Sequence, residues 1–298
     1  MLVEGGCGEM IARVFPRKTT ATPLDEYAFV GEPGLFIPDD ITEVHVSVTF
    51  TWDIPLAERL ARIWERYAPV KVGGPAYGDK GETFIPGMYL KKGYVITSRG
   101  CNNNCWFCLV PKREGKLREL PISEGNNLLD NNILGCSEGH IKAVFEMLSH
   151  QHHVTLTGGL EAKLLKPWHV ELLEKAKVER AYFAYDTPDD LPPLIEASKM
   201  LKESPWYRWR KCGCYVLIGY PNDTIDKARE RLETALKLGY SPFAMFYRDP
   251  EGKQNKTKEW AHLQREWIRP QIINANRKRL CGKEGRSDGR TFKMPLLR

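Results

Sequence analysis

No stretch of the sequence approaches the roughly 18 uninterrupted apolar residues that a membrane-spanning helix needs, and the N-terminus lacks the basic, apolar, small-residue order of a secretory signal. No membrane partner is therefore expected, and the expected compartment is the cytoplasm. A second CxxC is also missing. Outside one tight group, Cys212 and Cys214 are spaced by a single residue and Cys136 stands alone, so the paired ligand sets of structural zinc have no counterpart here. Disulfides are not called for either. A chain of 298 residues with 42% hydrophobic content builds a full core without covalent staples, so its eight cysteines read as ligands and free thiols.

Charge is present but unevenly placed. The net charge is +6, and residues 251–298 carry 13 Lys or Arg against 5 Asp or Glu. That asymmetry fits a polyanion contact, nucleic acid in particular, or simply a solvated basic tail. Residues 1–40 are rich in Pro, Gly and Thr and give weak periodicity, with a strand expected near Met10–Phe15 and Met10 as an alternative translation start. Glu43–Phe50 alternates toward β-branched residues, Ile54–Tyr67 has apolar positions at helical spacing, and Val70–Val72 runs into Gly73-Gly74-Pro75, which together make a small βαβ unit.

From Gly93 onward short apolar runs alternate with amphipathic helices, the order of a parallel sheet with crossover helices. Six strands are expected: Tyr94–Thr97, Asn127–Asp130, Val154–Thr157, Ala181–Tyr185, Cys214–Ile218 and Phe243–Tyr247. Ser137 is the expected N-cap of a helix carrying Ile141, Val144, Phe145 and Leu148. Another helix begins after Asn222 and Asp223 and stops at Gly239, and a tail helix spans Trp260–Ile273 with its aromatics packed inward. No convincing helix lies between Cys108 and Asn127. The fold class is α/β, with an N-terminal segment over 1–92, a run of six strand-and-helix units over 93–250 and a basic tail over 251–298.

The run Ser98-Arg99-Gly100-Cys101-Asn102-Asn103-Asn104-Cys105-Trp106-Phe107-Cys108 puts three thiols on one loop directly after a strand. Three ligands on a four-iron cube leave one iron open to a chelating molecule. This spacing, with an aromatic just before the last cysteine, resembles the signature of the radical S-adenosylmethionine superfamily. The resemblance implies a partial (β/α)6 TIM-type barrel with its site at the strand C-termini. It also implies a 4Fe-4S cluster on Cys101, Cys105 and Cys108, with S-adenosylmethionine on the open iron. An external one-electron reductant of the flavodoxin or ferredoxin type would drive cleavage to a 5′-deoxyadenosyl radical.

Further segments are similar to those with which the superfamily clasps its cofactor. Asp130-Asn131-Asn132 resembles an acidic-amide turn that holds the methionine amine, and Gly158-Gly159-Leu160-Glu161 resembles a displaced Gly-Gly-Glu, as an alternative for the same role. Asp186 stands where the ribose hydroxyls are contacted, and Ile218-Gly219 where the backbone packs on adenine. Leu109–Gly115 is similar to the segment that follows the cluster in methylthiotransferases, but those enzymes carry three further N-terminal cysteines and here only Cys7 precedes the motif. The βαβ unit resembles a truncated cobalamin-binding domain without its Asp-x-His-x-x-Gly loop, and His45 sits in a strand with no such context. Zinc-stabilised nucleic-acid binding and electron transfer without radical chemistry remain as alternatives.

Overall fold

The computed structural model describes residues 10–81, 83–249, 251–254 and 256–282. Cys7, the region before Met10 and the last basic stretch lie outside the described residues. The N-terminal unit is larger than a βαβ: β1 (Ile11–Phe15), β2 (Ala28–Val30), β3 (Glu43–Ser47) and β4 (Val70–Gly73) form one sheet in the order β2-β1-β3-β4. All its pairs are parallel. Helix α1 (Ile54–Trp64) follows β3 and lays Ala57, Leu60, Ala61 and Trp64 on Ala12, Val14, Val44 and Val46, a self-contained apolar cluster. His45 is accommodated within β3, its Nδ1 2.5 Å from the Tyr89 hydroxyl and its Nε2 3.1 Å from a Glu43 oxygen.

The second unit starts with β5 (Tyr94–Val95), followed by the short antiparallel pair β6 (Ser98–Arg99) and β7 (Arg118–Glu119), with the four-residue helix α2 (Val110–Arg113) between them. No longer crossover helix is described there, as the sequence led us to expect. Then come β8 (Asn127–Leu128), α3 (Glu138–Ser149), β9 (Thr155–Leu160), α4 (Pro167–Lys175), β10 (Arg180–Ala184), α5 (Leu191–Glu203), β11 (Cys212–Ile218), α6 (Ile225–Lys237) and β12 (Ser241–Phe246). The six long-range strands pair in chain order, β5-β8-β9-β10-β11-β12, and every pair is parallel. This is the open sheet of a partial (β/α)6 barrel, with each expected strand within three residues of its place.

Two helix ends follow the expected chemistry. Ser137 Oγ accepts the His140 amide at 3.2 Å, and Gly239 adopts φ +98° where α6 stops. The tail differs from expectation. Pro270, which cannot donate to a preceding carbonyl, divides it into α7 (Lys258–Ile268) and α8 (Pro270–Cys281). Trp260, Leu263, Trp267 and Ile273 are buried with the barrel's helices in the main apolar cluster, so the tail aromatics do pack inward. On the opposite face of the sheet Tyr182 and Tyr215 stack at 4.4 Å, with Gly213 leaving room for the Tyr182 ring.

Candidate functional site

The strand C-termini of the barrel converge on the loop that carries the cysteines. β6 and β7 close that loop at its base, and the Cys101 amide donates to Gly115 O at 3.2 Å across it. Gly100 turns the chain with φ +79°, and a Cβ there would lie 2.3 Å from Lys116 O, so the closure requires glycine. Inside the loop the Cys108 amide donates to Cys105 O at 3.0 Å and the Asn103 amide to Cys101 Sγ at 3.4 Å. All three cysteines are free thiols. Burial, then the neighbouring thiols, push Cys105 up to about 11, and burial also raises Cys108. As thiolates these groups repel one another in a partly buried loop, so the donor set matches a cationic partner that takes several thiolates at once. Among the described residues no three His, Cys, Asp or Glu side chains converge tightly enough to hold a single metal ion.

Asp130 lies at the end of β8 and is 1% exposed. It accepts from the Thr97 amide at 2.6 Å, from Thr97 Oγ1 at 2.7 Å and from Ser98 Oγ at 2.7 Å. Its carboxylate therefore ties the first two strand ends together immediately before the cysteine loop. Burial raises it in spite of these donors.

The two segments read as alternatives in the sequence are joined in the structure. Asn132 Nδ2 donates to Glu161 Oε2 at 2.6 Å, and Lys163 pairs with Glu161 at 2.5 Å while reaching Asn103 Oδ1 at 3.3 Å in the cysteine loop. Asn132 Oδ1 is buried without a partner. Gly158 lets β9 press against β8, since a Cβ there would lie 2.0 Å from Asp130 O, whereas Gly159 faces open space. The β9–β10 register shifts at this point, the two residues Thr157 and Gly158 being extra, and such irregularities redirect a strand end. Asn131 Nδ2 meets Glu114 Oε2 at 2.6 Å. Glu114 itself is buried and also accepts from the Gly100 amide at 3.2 Å and Arg99 at 3.4 Å. Its role could not be read from spacing, because it depends on β6–β7 closure.

After β10 the turn is capped by Thr187 and Asp190, whose Oδ2 accepts the Asp186 and Thr187 amides at 2.9 and 2.7 Å. Asp186 lies just before this cap, and its Oδ1 accepts the Leu217 amide of β11 at 3.0 Å. Burial, then Asp190, raise its carboxyl to about 7. Ile218 is fully buried among the barrel helices and offers the site only backbone, and Gly219, at φ +72°, donates to Asp223 Oδ2 at 2.9 Å. The sequence did not reveal an aromatic cluster over this mouth: Trp106 of the cysteine loop meets Tyr220 at 5.5 Å and Tyr247 at 5.7 Å, edge-on and tilted.

The raised Asp186 carboxyl sets a sign. Between about pH 4 and about pH 7 the unfolded chain has released this proton and the folded chain retains it. Its contribution to stability is therefore fully present below pH 4, is lost as pH rises toward 7, and is flat above. Asp186→Asn keeps an acceptor for Leu217 but does not titrate. Relative to that variant, wild-type unfolding free energy in urea should fall with pH by on the order of 1 kcal/mol per unit across this window; parallel profiles would refute the shift.

No protein-family model matches the chain. Among curated proteins it is 26% identical over 182 residues to the ribosomal protein uS12 methylthiotransferase RimO of Ectopseudomonas mendocina, a match covering 55% of this chain and 39% of the relative. The same-named protein of Salmonella arizonae is 28% identical over 176 residues, covering 55% of this chain and 38% of the relative. The chain thus spans about two-fifths of the length of these relatives. Among solved structures it resembles the radical S-adenosylmethionine methyltransferase TsrM of Kitasatospora setae, described with cobalamin and a [4Fe-4S] cluster bound. The TM-score is 0.55 at 12% identity, over 82% of this chain and 77% of that one, which is a likeness of fold. No described helix is long and apolar enough to cross a membrane. Cysteine spacing, curated relatives and barrel topology all point the same way, toward the radical S-adenosylmethionine superfamily.

Proposed function

We propose that the chain is a radical S-adenosylmethionine enzyme in which Cys101, Cys105 and Cys108 hold a 4Fe-4S cluster and the strand ends of residues 93–250 hold S-adenosylmethionine. When bound, these groups supply reductive cleavage of the sulfonium to methionine and a 5′-deoxyadenosyl radical, which abstracts hydrogen from the substrate. The observation that carries the reading is the convergence of four strand-end segments on one three-thiol loop, with a buried acceptor, Asn132 Oδ1, left unpartnered among them. Asn132 Oδ1 would accept from the methionine amine, with Glu161 adding a carboxylate beside it. Asp186 would accept from the ribose hydroxyls. The backbone at Ile218 and Gly219 offers a flat approach for adenine. Asp130 and Glu114 act as positioning residues, since their oxygens fix the loop.

Zinc would require a fourth ligand. Cys212 and Cys214 are fully buried in β11 among the barrel helices, and Cys136 lies beside Ser98 and Asp130, so the remaining described cysteines near the barrel do not complete a set with the loop. In this reading the protein works in the cytoplasm with a flavodoxin- or ferredoxin-type reductant, residues 1–92 form an N-terminal unit, and residues 251–298 form a basic tail. The test is anaerobic. Reconstituted protein reduced with dithionite and given S-adenosylmethionine should form 5′-deoxyadenosine, and Cys105→Ala should abolish it. Iron-loaded wild-type protein that forms none would favour electron transfer instead, and zinc in place of iron would overturn the assignment.

A further inference from the structure

The N-terminal sheet has the order β2-β1-β3-β4, so the chain leaves β1 toward one edge and returns to its other side at β3. In open parallel sheets the gap beyond the strand C-termini at such a reversal is where ligands bind, because the flanking loops diverge there. A cavity occupies this gap, lined by Arg17 and Thr19 after β1, by Ser47 at the end of β3 and by Thr49, Phe50 and Asp53 after it. Helix α1 begins at its edge with Ile54, directing a helix N-terminus toward it.

The turn Phe50-Thr51-Trp52-Asp53 on this gap collects arginines from three distant parts of the chain. Arg17 pairs with buried Asp53, its Nε 2.6 Å from Oδ2, and lies 5.7 Å from the centre of the Phe50 ring. Arg113, at the end of α2 and after the last cysteine of the loop, donates to Thr51 Oγ1 at 3.4 Å. Arg248, just beyond β12, places its guanidinium 4.6 Å over the Trp52 ring. Phe50 and Trp52 stack at 4.7 Å, and Trp52 Nε1 is buried without a partner. Asp53 balances Arg17. Neither Arg113 nor Arg248 has an acidic side chain within ion-pair distance among the described residues. Burial works against both of these cations; Glu114 partly offsets it at Arg113, and at Arg248 repulsion from Arg17 is opposed by Asp53. The seam between the N-terminal gap and the barrel mouth therefore holds two guanidinium groups without an ion-pair partner among the described residues and one buried N–H, that of Trp52, without an acceptor.

We propose that this seam is a phosphate-binding site, in which Arg113, Arg248 and the hydroxyls of Ser47 and Thr49 hold a phosphate ester whose remainder reaches the barrel mouth. Phosphate suits the site because its several charged acceptor oxygens match guanidinium forks and hydroxyls arriving from different directions. That the ester is the enzyme's substrate rests on the radical-enzyme reading; the phosphate site itself does not.

The test titrates the reconstituted full-length protein, saturated with S-adenosylmethionine, with deoxycytidine monophosphate and with a single-stranded oligodeoxycytidine of about ten nucleotides. Saturable binding of at least one is expected, weakening with added salt, and Arg248→Gln should raise the dissociation constant about tenfold. Arg248→Lys, which keeps the charge but not the fork, should fall between. Equal affinity of monophosphate and oligomer would identify a free nucleotide, and binding of the oligomer alone would place the phosphate in nucleic acid. No saturable binding of either, or equal binding by wild type and Arg248→Gln, would overturn the site. Protein that forms 5′-deoxyadenosine yet binds neither probe separates failure of this inference from failure of the enzymatic reading. Binding retained in Cys105→Ala shows that the seam stands independently of the cluster.

Discussion

Asp130→Ala should be among the most destabilising single substitutions in the chain, lowering the unfolding free energy by about 3–5 kcal/mol. The carboxylate lies at 1% exposure and satisfies three donors, the Thr97 amide and the Thr97 and Ser98 hydroxyls. Alanine would leave all three facing a void, and each buried unsatisfied group costs about 1–3 kcal/mol. Asp130→Asn should cost less, about 1–2 kcal/mol, because one oxygen remains for the amide and the hydroxyls can rotate toward the new NH2. Urea midpoints for the two variants decide the matter. Equal and small losses would mean that the knot contributes little. Since Thr97 and Ser98 lead directly into the cysteine loop, Asp130→Ala should also reduce iron content after reconstitution, whereas a purely distant defect in stability would leave iron per folded molecule unchanged.

The barrel was legible because its signals are local. Alternating apolar runs, the Ser137 cap and the Gly239 stop each depend on residues within a few positions, and all appear where expected. The three-thiol motif is local as well. Strand β2 was not legible: three residues in a Pro- and Gly-rich stretch carry no period, and only parallel pairing of Ala28–Val30 with Arg13–Phe15 makes them a strand. The break in the tail was legible in principle, since Pro270 stands within the apolar pattern that suggested one helix.

The site was legible in composition but not in connection. Spacing nominated Asp130-Asn131-Asn132 and Gly158–Glu161 as rivals, and no local rule says that a side chain at 132 will meet one at 161. The Asn132–Glu161 bond and the β9 irregularity make them one structure. The arginines of the seam, at 17, 113 and 248, are equally invisible in sequence. Each reads as a solvated surface charge until the fold brings the ends of β1, α2 and β12 to a single turn.

Gly100→Ala should prevent a stable cysteine loop altogether. Two penalties act together at this position. The backbone has φ +79°, in the left-handed region that a side chain disfavours by about 1 kcal/mol or more. In addition, the new Cβ would lie 2.3 Å from Lys116 O and 2.7 Å from Gly115 O, both backbone atoms with no rotamer to turn away. Relief requires the two limbs of the loop to separate, which breaks the Cys101 amide bond to Gly115 O and loosens the Gly100 amide bond to Glu114. Glu114 also anchors Asn131, so the disturbance passes to the next strand end. The barrel's apolar core lies on the far side of the sheet among the helices and is untouched. The variant should therefore remain folded, with helical circular dichroism near wild type, while retaining little iron and forming no 5′-deoxyadenosine. By contrast, Gly159→Ala, where nothing lies within 4 Å, should reconstitute with wild-type iron. Full iron in Gly100→Ala would show that the loop can open at its base and still present three thiols together, and the closure by β6 and β7 would then be incidental to the site.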